Sequence, residues 1–132
     1  MKRKNKVFID DSFWISLIDP NIDTHLSNRE KYETLVKENV MLYTSNLILG
    51  KAFTYLKEKK SLEIAEQFYL FVLKVYNMGS LKLEWVGKKY SKDSINIILN
   101  EHEDRNIDLI EASSMAICKA KRIKQFLSDR EK

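Results

Sequence analysis

Acidic side chains stand where the sequence predicts a strand to end or a helix to begin. Asp10 and Asp11 directly follow the apolar residues 7–9, and Asp129 follows a predicted last strand. Glu111 lies at the start of a predicted helix. Carboxylates that share one cleft repel each other unless they are protonated or bind a cation. Hard ions such as Mg²⁺ and Mn²⁺ prefer carboxylate and water ligands, so this pattern predicts a divalent-metal site.

A metal site of this kind suits one type of reaction. A bound metal ion lowers the pKa of its water ligand and stabilises charge on a phosphodiester that water attacks. The chain has 23 Lys and Arg against 19 Asp and Glu, a net charge of +4. Basic residues cluster at 1–6, 57–60 and 119–124. The excess is modest, and it is compatible with nucleic acid as a partner or with ordinary solvated helix faces.

Length and composition favour one globular domain over residues 1–132. The chain is 44% hydrophobic and has only one Pro and three Gly, which is unlike a disordered segment. Its single cysteine, Cys118, allows no intramolecular disulfide and is expected to be a small helical hydrophobe. No secretory signal or membrane span is recognisable. We therefore expect a cytoplasmic protein without a membrane partner.

Strand and helix patterns alternate along the chain. Strands are predicted at residues 7–9, 40–43, 81–85 and 123–127. Helices are predicted at 13–18 with Ser12 as N-cap, at 27–37 with a capping box from Ser27 to Glu30, and at 47–59, 61–76, 91–100 and 109–121. This order predicts the α/β class, as a three-layer α/β/α sandwich around a short, mostly parallel sheet.

The predicted acids converge on one edge of that sheet. Ligands of parallel α/β sheets bind outside the carboxyl ends of the strands. Asp10 and Asp11 lie at one such end, residues 44–46 (TSN) at a second and Asp129 at a third. Residues 108–111 begin the helix that precedes the last strand. Four segments therefore can bring polar groups together.

The sequence resembles the PIN-domain family, to which VapC-type toxins belong. Three stretches carry the resemblance, in order and with family-like spacing: VFIDDSFWISLID, YTSNLILGKAFTYL and DRNIDLIEASSMAICKAKRIKQFLSD. The resemblance implies a PIN-type α/β/α sandwich and metal-dependent cleavage of RNA. It further implies an antitoxin protein as a partner and a homodimer.

Site residues follow from the resemblance position by position. It implies catalytic, metal-binding acids at Asp10, Glu111 and Asp129, with Mg²⁺ or Mn²⁺ as the cofactor. It also implies that Ser12 and Thr44 orient groups of the site.

The sequence departs from the family pattern at three points. Lys51 stands where the family has its second acid, usually Glu. Glu111 replaces an Asp and is longer by one methylene, and Ser128 and Asp129 lack the residue that often separates them. Two hypotheses therefore remain: an active ribonuclease, and a degenerate module that binds RNA or a protein partner without cutting.

Each site residue also has an ordinary structural explanation. Asp10 could cap the helix that follows it, and Asp129 could be a surface residue of the charged tail. Asp108 and Glu111 have capping-box spacing and could serve only to start a helix. Lys51 on an amphipathic helix would ordinarily be solvated.

Asp11 and Trp85 are expected to have no site role. Asp11 is expected to face solvent or to cap the helix, where the helix dipole favours it. Trp85 is expected in the core or on a dimer surface rather than as a platform for base stacking.

Overall fold

The computed structural model describes residues 5–100 and 106–129. Residues 1–4 of the predicted basic cluster 1–6 therefore lie outside it. The described chain alternates strands and helices in this order: β1 (Lys6–Ile9), α1 (Asp11–Ile18), α2 (His25–Lys37), β2 (Met41–Ser45), α3 (Asn46–Lys59), α4 (Leu62–Asn77), β3 (Leu81–Glu84), α5 (Lys88–Leu99), α6 (Leu109–Lys121) and β4 (Gln125–Leu127).

The four strands form one sheet in the order β3-β2-β1-β4, and every described strand pair is parallel. Helix α1 packs against α2, α3 and α4, and α3 packs against α4, whereas α5 packs against α6. With the sheet between these two groups, the architecture is the predicted α/β/α sandwich. Asp10 follows the last residue of β1 and precedes α1. It therefore lies at the carboxyl end of an interior strand.

The core holds α1 onto this sheet. Val7, Phe8 and Ile9 of β1 are at most 1% exposed, which explains why this strand is apolar without alternation. Trp14 of α1 is fully buried, and its ring meets Phe68 of α4 edge-on at a centroid distance of 6.1 Å. Burial of these side chains fixes the first turn of α1, and with it the acids at its start.

Several helix ends agree with the sequence. The hydroxyls of Ser45 and Ser61 accept hydrogen bonds from the backbone N–H groups of Ile48 and Ile64, so both serines cap helices. Helix α6 has the predicted bounds and opens with the predicted capping box. Cys118 is half-buried on this helix, and burial raises the pKa of its thiol to about 11, as expected of a packing residue.

Three predicted helix starts are wrong. The N-cap of α1 is Asp10, not Ser12, and α2 begins at His25 rather than Ser27. Helix α5 begins at Lys88 rather than Ser91. In each case the helix starts two or three residues earlier than its most obvious capping residue suggested.

Tertiary contacts explain two of the early starts, those of α2 and α5. His25 Nδ1 lies 2.7 Å from the carbonyl oxygen of Ser16, and Asn28, 6% exposed, donates to Ser16 Oγ. These contacts hold the first turn of α2 against α1. Before α5, the backbone N–H of Val86 donates to Asn46 Oδ1 at 2.6 Å. Contacts between distant residues therefore override local capping preference.

Within residues 5–100 and 106–129, no helix combines the length and the apolar character that a membrane crossing requires.

Candidate functional site

Asp10 occupies the carboxyl end of β1 and is only 4% exposed. Its backbone N–H donates to the carbonyl oxygen of Leu127 in β4, and its own carbonyl oxygen accepts from Trp14 N. The Asp10 side chain sits at the N-cap position of α1 but makes no capping hydrogen bond. Helix capping therefore does not account for a buried carboxylate at this place.

Thr44 fastens the end of β1 to β2. Its fully buried hydroxyl donates to the carbonyl oxygen of Ile9 and accepts from Trp14 Nε1, both at 3.1 Å. One side chain thus joins the residue before Asp10 to the first turn of α1. This contact positions the Asp10 backbone from two sides.

The substitution Thr44→Val is expected to lower the free energy of unfolding by about 1–3 kcal/mol, because the buried Trp14 N–H loses its acceptor. Urea unfolding followed by circular dichroism measures the change. Thr54→Val is the matched control on the exposed side of α3, and its effect should stay within about 0.5 kcal/mol. Equal effects of the two substitutions would contradict the role given to Thr44.

Ser12 connects α1 to the segment after β4. Its Oγ accepts from the backbone N–H of Asp129 at 2.7 Å and lies 3.1 Å from Ser128 Oγ. The hydroxyl predicted as a helix cap instead joins the first turn of α1 to residues 128–129. Asp129 is thereby brought beside the edge that carries Asp10.

The Asp129 carboxylate is held by α2. Its Oδ2 accepts from Thr24 Oγ1 at 2.7 Å, and its Oδ1 accepts from Asn28 Nδ2 at 3.1 Å. A residue of a merely solvated tail would not have both oxygens engaged by another element. Thr24 and Asn28 were not predicted as site residues, and Asn28 was assigned only to the capping box from Ser27 to Glu30.

Lys51 and Asp11 form an ion pair on the same edge. Lys51 Nζ in α3 lies 3.8 Å from Asp11 Oδ2. Asp11 is 5% exposed, so the expectation that it faces solvent is wrong. The packing of α1 against α3 encloses this carboxylate, and the ammonium group offsets part of its desolvation.

Glu111 closes the capping box of α6. Its Oε1 accepts from Asp108 N at 3.2 Å, while Asp108 Oδ1 accepts from Glu111 N at 2.8 Å. The side chain is exposed. The capping-box explanation for the spacing of Asp108 and Glu111 is therefore confirmed. A site role for Glu111 stays a prediction.

The described acids provide two carboxylates at adjacent strand ends rather than a closed metal cage. In residues 5–100 and 106–129, no group of three His, Cys, Asp or Glu side chains is suited to hold a metal ion. The register that pairs Ile9 with Leu127 places Asp10 and Asp129 at adjacent strand ends. Mg²⁺ is commonly bound through one or two carboxylates, with waters and substrate phosphates as its other ligands. The donor chemistry of Asp10 and Asp129 fits such an open site.

No protein-family model and no curated protein sequence matches this chain. Among solved structures, it is similar to VapC20 of Mycobacterium tuberculosis, described as a sarcin-ricin loop cleaving toxin. The TM-score is 0.80 at 19% sequence identity, over 94% of this chain and 89% of the other. The fold predicted from the PIN-domain resemblance is confirmed, and it is the fold of a VapC-type toxin.

Proposed function

From the VapC-type fold as the premise, we propose that this chain, as a single domain, is a metal-dependent ribonuclease. It hydrolyses RNA phosphodiester bonds at the sheet edge that carries Asp10. The observation that supports this most is the burial of the Asp10 carboxylate at the carboxyl end of a central strand. In parallel α/β sheets that location is where ligands bind.

The residues of the edge have separate roles. Asp10 and Asp129 hold Mg²⁺ or Mn²⁺, and Glu111 can join them from α6 only when its carboxylate releases Asp108 N. Ser12 and Thr44 orient Asp129 and Asp10 through the hydrogen bonds described above. The bound metal ion supplies a water of lowered pKa and offsets the negative charge that develops on the phosphate.

The proposed setting is that of a toxin controlled by an antitoxin protein in the cytoplasm. VapC20, similar in fold, is described as a sarcin-ricin loop cleaving toxin. Exposed apolar side chains on α4 support a protein partner or a second copy of the chain: Leu62, Tyr69, Leu70, Leu73 and Tyr76. Single apolar residues are common on surfaces, but five on one helix are typical of an interaction face.

Incubation of a mixed RNA pool with purified protein tests the proposal. We expect cleavage with Mn²⁺ or Mg²⁺ and its loss in EDTA. Folded protein that leaves the RNA intact in both metals would contradict the ribonuclease function.

A second candidate function is RNA or partner binding without cleavage. The Lys51–Asp11 ion pair favours it, because Lys51 puts a fixed cation where the family resemblance implies a carboxylate. An ammonium group near the acids repels a divalent cation and balances part of their charge. On this alternative, the edge would be stable without metal.

The melting temperature with and without Mn²⁺ separates the two functions. A ribonuclease that binds Mn²⁺ is expected to gain about 2.7 kcal/mol of stability when free Mn²⁺ is 100 times the Kd. The non-catalytic module should show no gain until Lys51→Glu supplies the absent acid. Lys57→Glu, the same charge change at an exposed position in the last turn of α3, is the control.

A further inference from the structure

A shallow basic cavity lies where β3 ends. It has a volume of about 460 Å³, and its lining includes Trp85, Tyr90 and three lysines, Lys88, Lys89 and Lys121. The cavity joins the loop after β3 to the start of α5 and the end of α6. None of these residues is used by the catalytic edge described above.

We propose that this cavity, here called the Trp85 surface, binds single-stranded RNA, with a base stacked on Trp85 and phosphates held by the lysines. The inference rests on the proposed function, since RNA is the substrate proposed for the adjacent edge. Single-stranded RNA is commonly bound by a positively charged groove together with exposed aromatic rings. The Trp85 surface combines both features.

Trp85 is placed to stack on a base. It is 69% exposed, whereas Trp14, the other tryptophan, is fully buried. The sequence predicted Trp85 in the core or on a dimer surface, and a core position is wrong for this residue. Because every base has a π-face, a single exposed indole binds RNA with little sequence preference.

The charge of the Trp85 surface favours an anion. Lys121 pairs with Glu84 at 3.8 Å and Lys89 pairs with Asp93 at 3.5 Å, so two of the three lysines are partly balanced. Within the described part of the chain, Lys88 has no carboxylate partner, and it is exposed. A net positive charge remains for phosphate.

Two hydrogen bonds fix the position of the Trp85 surface on the fold. Tyr90 Oη donates to Glu84 Oε1 at 3.1 Å. Burial, and after it the Glu84 carboxylate, raises the pKa of Tyr90 to about 12, so the phenol keeps its proton at neutral pH. Asn46 Oδ1 accepts from Val86 N at 2.6 Å and so ties the Trp85 loop to the end of β2.

The register places the end of β3, which Trp85 directly follows, near Asp10. Ser45 of β2 has Glu84 as its partner in β3, and the β1–β2 register continued from Phe8 and Tyr43 brings Asp10 beside Ser45. Two strand spacings, roughly 10 Å, therefore separate the backbone at Asp10 from that at Glu84. An RNA strand crossing the edge can reach Asp10 and Trp85 within a few nucleotides.

Binding is measured separately from cleavage by keeping the protein in EDTA. A fluorescein-labelled single-stranded RNA of 12 nucleotides is titrated with the full chain, and its anisotropy gives the Kd. We expect Trp85→Ala to weaken binding about 10-fold and Trp85→Phe to retain most of the affinity. RNA should also quench the tryptophan emission of the wild type but not that of Trp85→Phe, since only buried Trp14 remains there.

The salt dependence of the Kd measures the contribution of the lysines to binding. Lys88→Gln is expected to weaken binding at low salt and to reduce the slope of log Kd against log salt by about 0.7. Lys57→Gln is the matched control. Lys57 is exposed near the far end of α3, roughly 17 Å along the helix axis from Asn46. Its Kd and slope should equal those of the wild type.

The outcomes distinguish this inference from the proposed function. An unchanged Kd for folded Trp85→Ala would overturn the Trp85 surface and leave RNA cleavage at Asp10 untouched. Weakened binding by this variant would support the surface even if the wild type does not cut RNA in Mn²⁺. A wild-type chain that binds no RNA in EDTA would overturn the surface as well.

Discussion

Replacing Asp10 by Asn is expected to lower RNA cleavage in Mn²⁺ by about 10²–10³-fold, the loss typical for removal of one preorganised electrostatic group. Asparagine keeps the size of the side chain and one oxygen but has no negative charge. Because Asp10 is 4% exposed, its charge acts on a metal ion through a poorly screened environment. Initial cleavage rates of both proteins on the same RNA measure the effect.

The same variant should remain folded. Asparagine matches aspartate in size, and α1 does not depend on a capping hydrogen bond from this side chain. We expect Asp10→Asn to unfold cooperatively and to keep the far-UV circular dichroism spectrum of the wild type. Glu58→Gln, an exposed carboxylate-to-amide change in the last turn of α3, should leave the cleavage rate unchanged. Cleavage by Asp10→Asn within twofold of wild type would exclude Asp10 from the chemistry.

Trp14→Ala is expected to produce the largest loss of stability, about 3–5 kcal/mol. Trp14 is fully buried and packs edge-on against Phe68 and Phe71, so alanine leaves a cavity between α1 and α4. The indole N–H also donates to Thr44, and that bond is lost. Guanidinium unfolding at constant pH gives the difference in free energy.

The chain contains its own control for this experiment. Trp85→Ala removes the same side chain from a 69% exposed position, and its effect should lie within about 0.5 kcal/mol. Trp14→Phe keeps an aromatic ring but not the N–H, and it should fall between the two. A loss below about 1 kcal/mol for Trp14→Ala would show that the site collapses around the smaller residue.

Local sequence signals predicted the elements that depend on local energetics. Helix α6 begins after Asp108 because two reciprocal hydrogen bonds satisfy its first N–H groups, and that spacing is readable in sequence. The starts of α2 and α5 were missed because distant groups hold the chain at or just before them: Ser16 contacts His25, and Asn46 accepts from Val86. No local pattern encodes those contacts.

Some residues of the candidate site could also be predicted from local sequence, and others depend on tertiary contacts. Asp10 was predictable from its place after an apolar strand, and the resemblance pointed to Ser12, Thr44 and Asp129. The partners of the Asp129 carboxylate were not predictable, because Thr24 and Asn28 are more than 100 positions away along the chain. Asp11 was misjudged for a related reason, since its burial depends on how α1 packs against α3.

Cleavage by wild-type protein and Lys51→Glu, measured side by side on one RNA with Mn²⁺ and with EDTA, tests the central claim most directly. If this edge is a working ribonuclease site, the wild type cuts in Mn²⁺ and not in EDTA, and Lys51→Glu cuts at least as fast. If folded wild type is inactive and only Lys51→Glu cuts, the natural chain is a binding module whose catalytic edge is balanced by its own lysine.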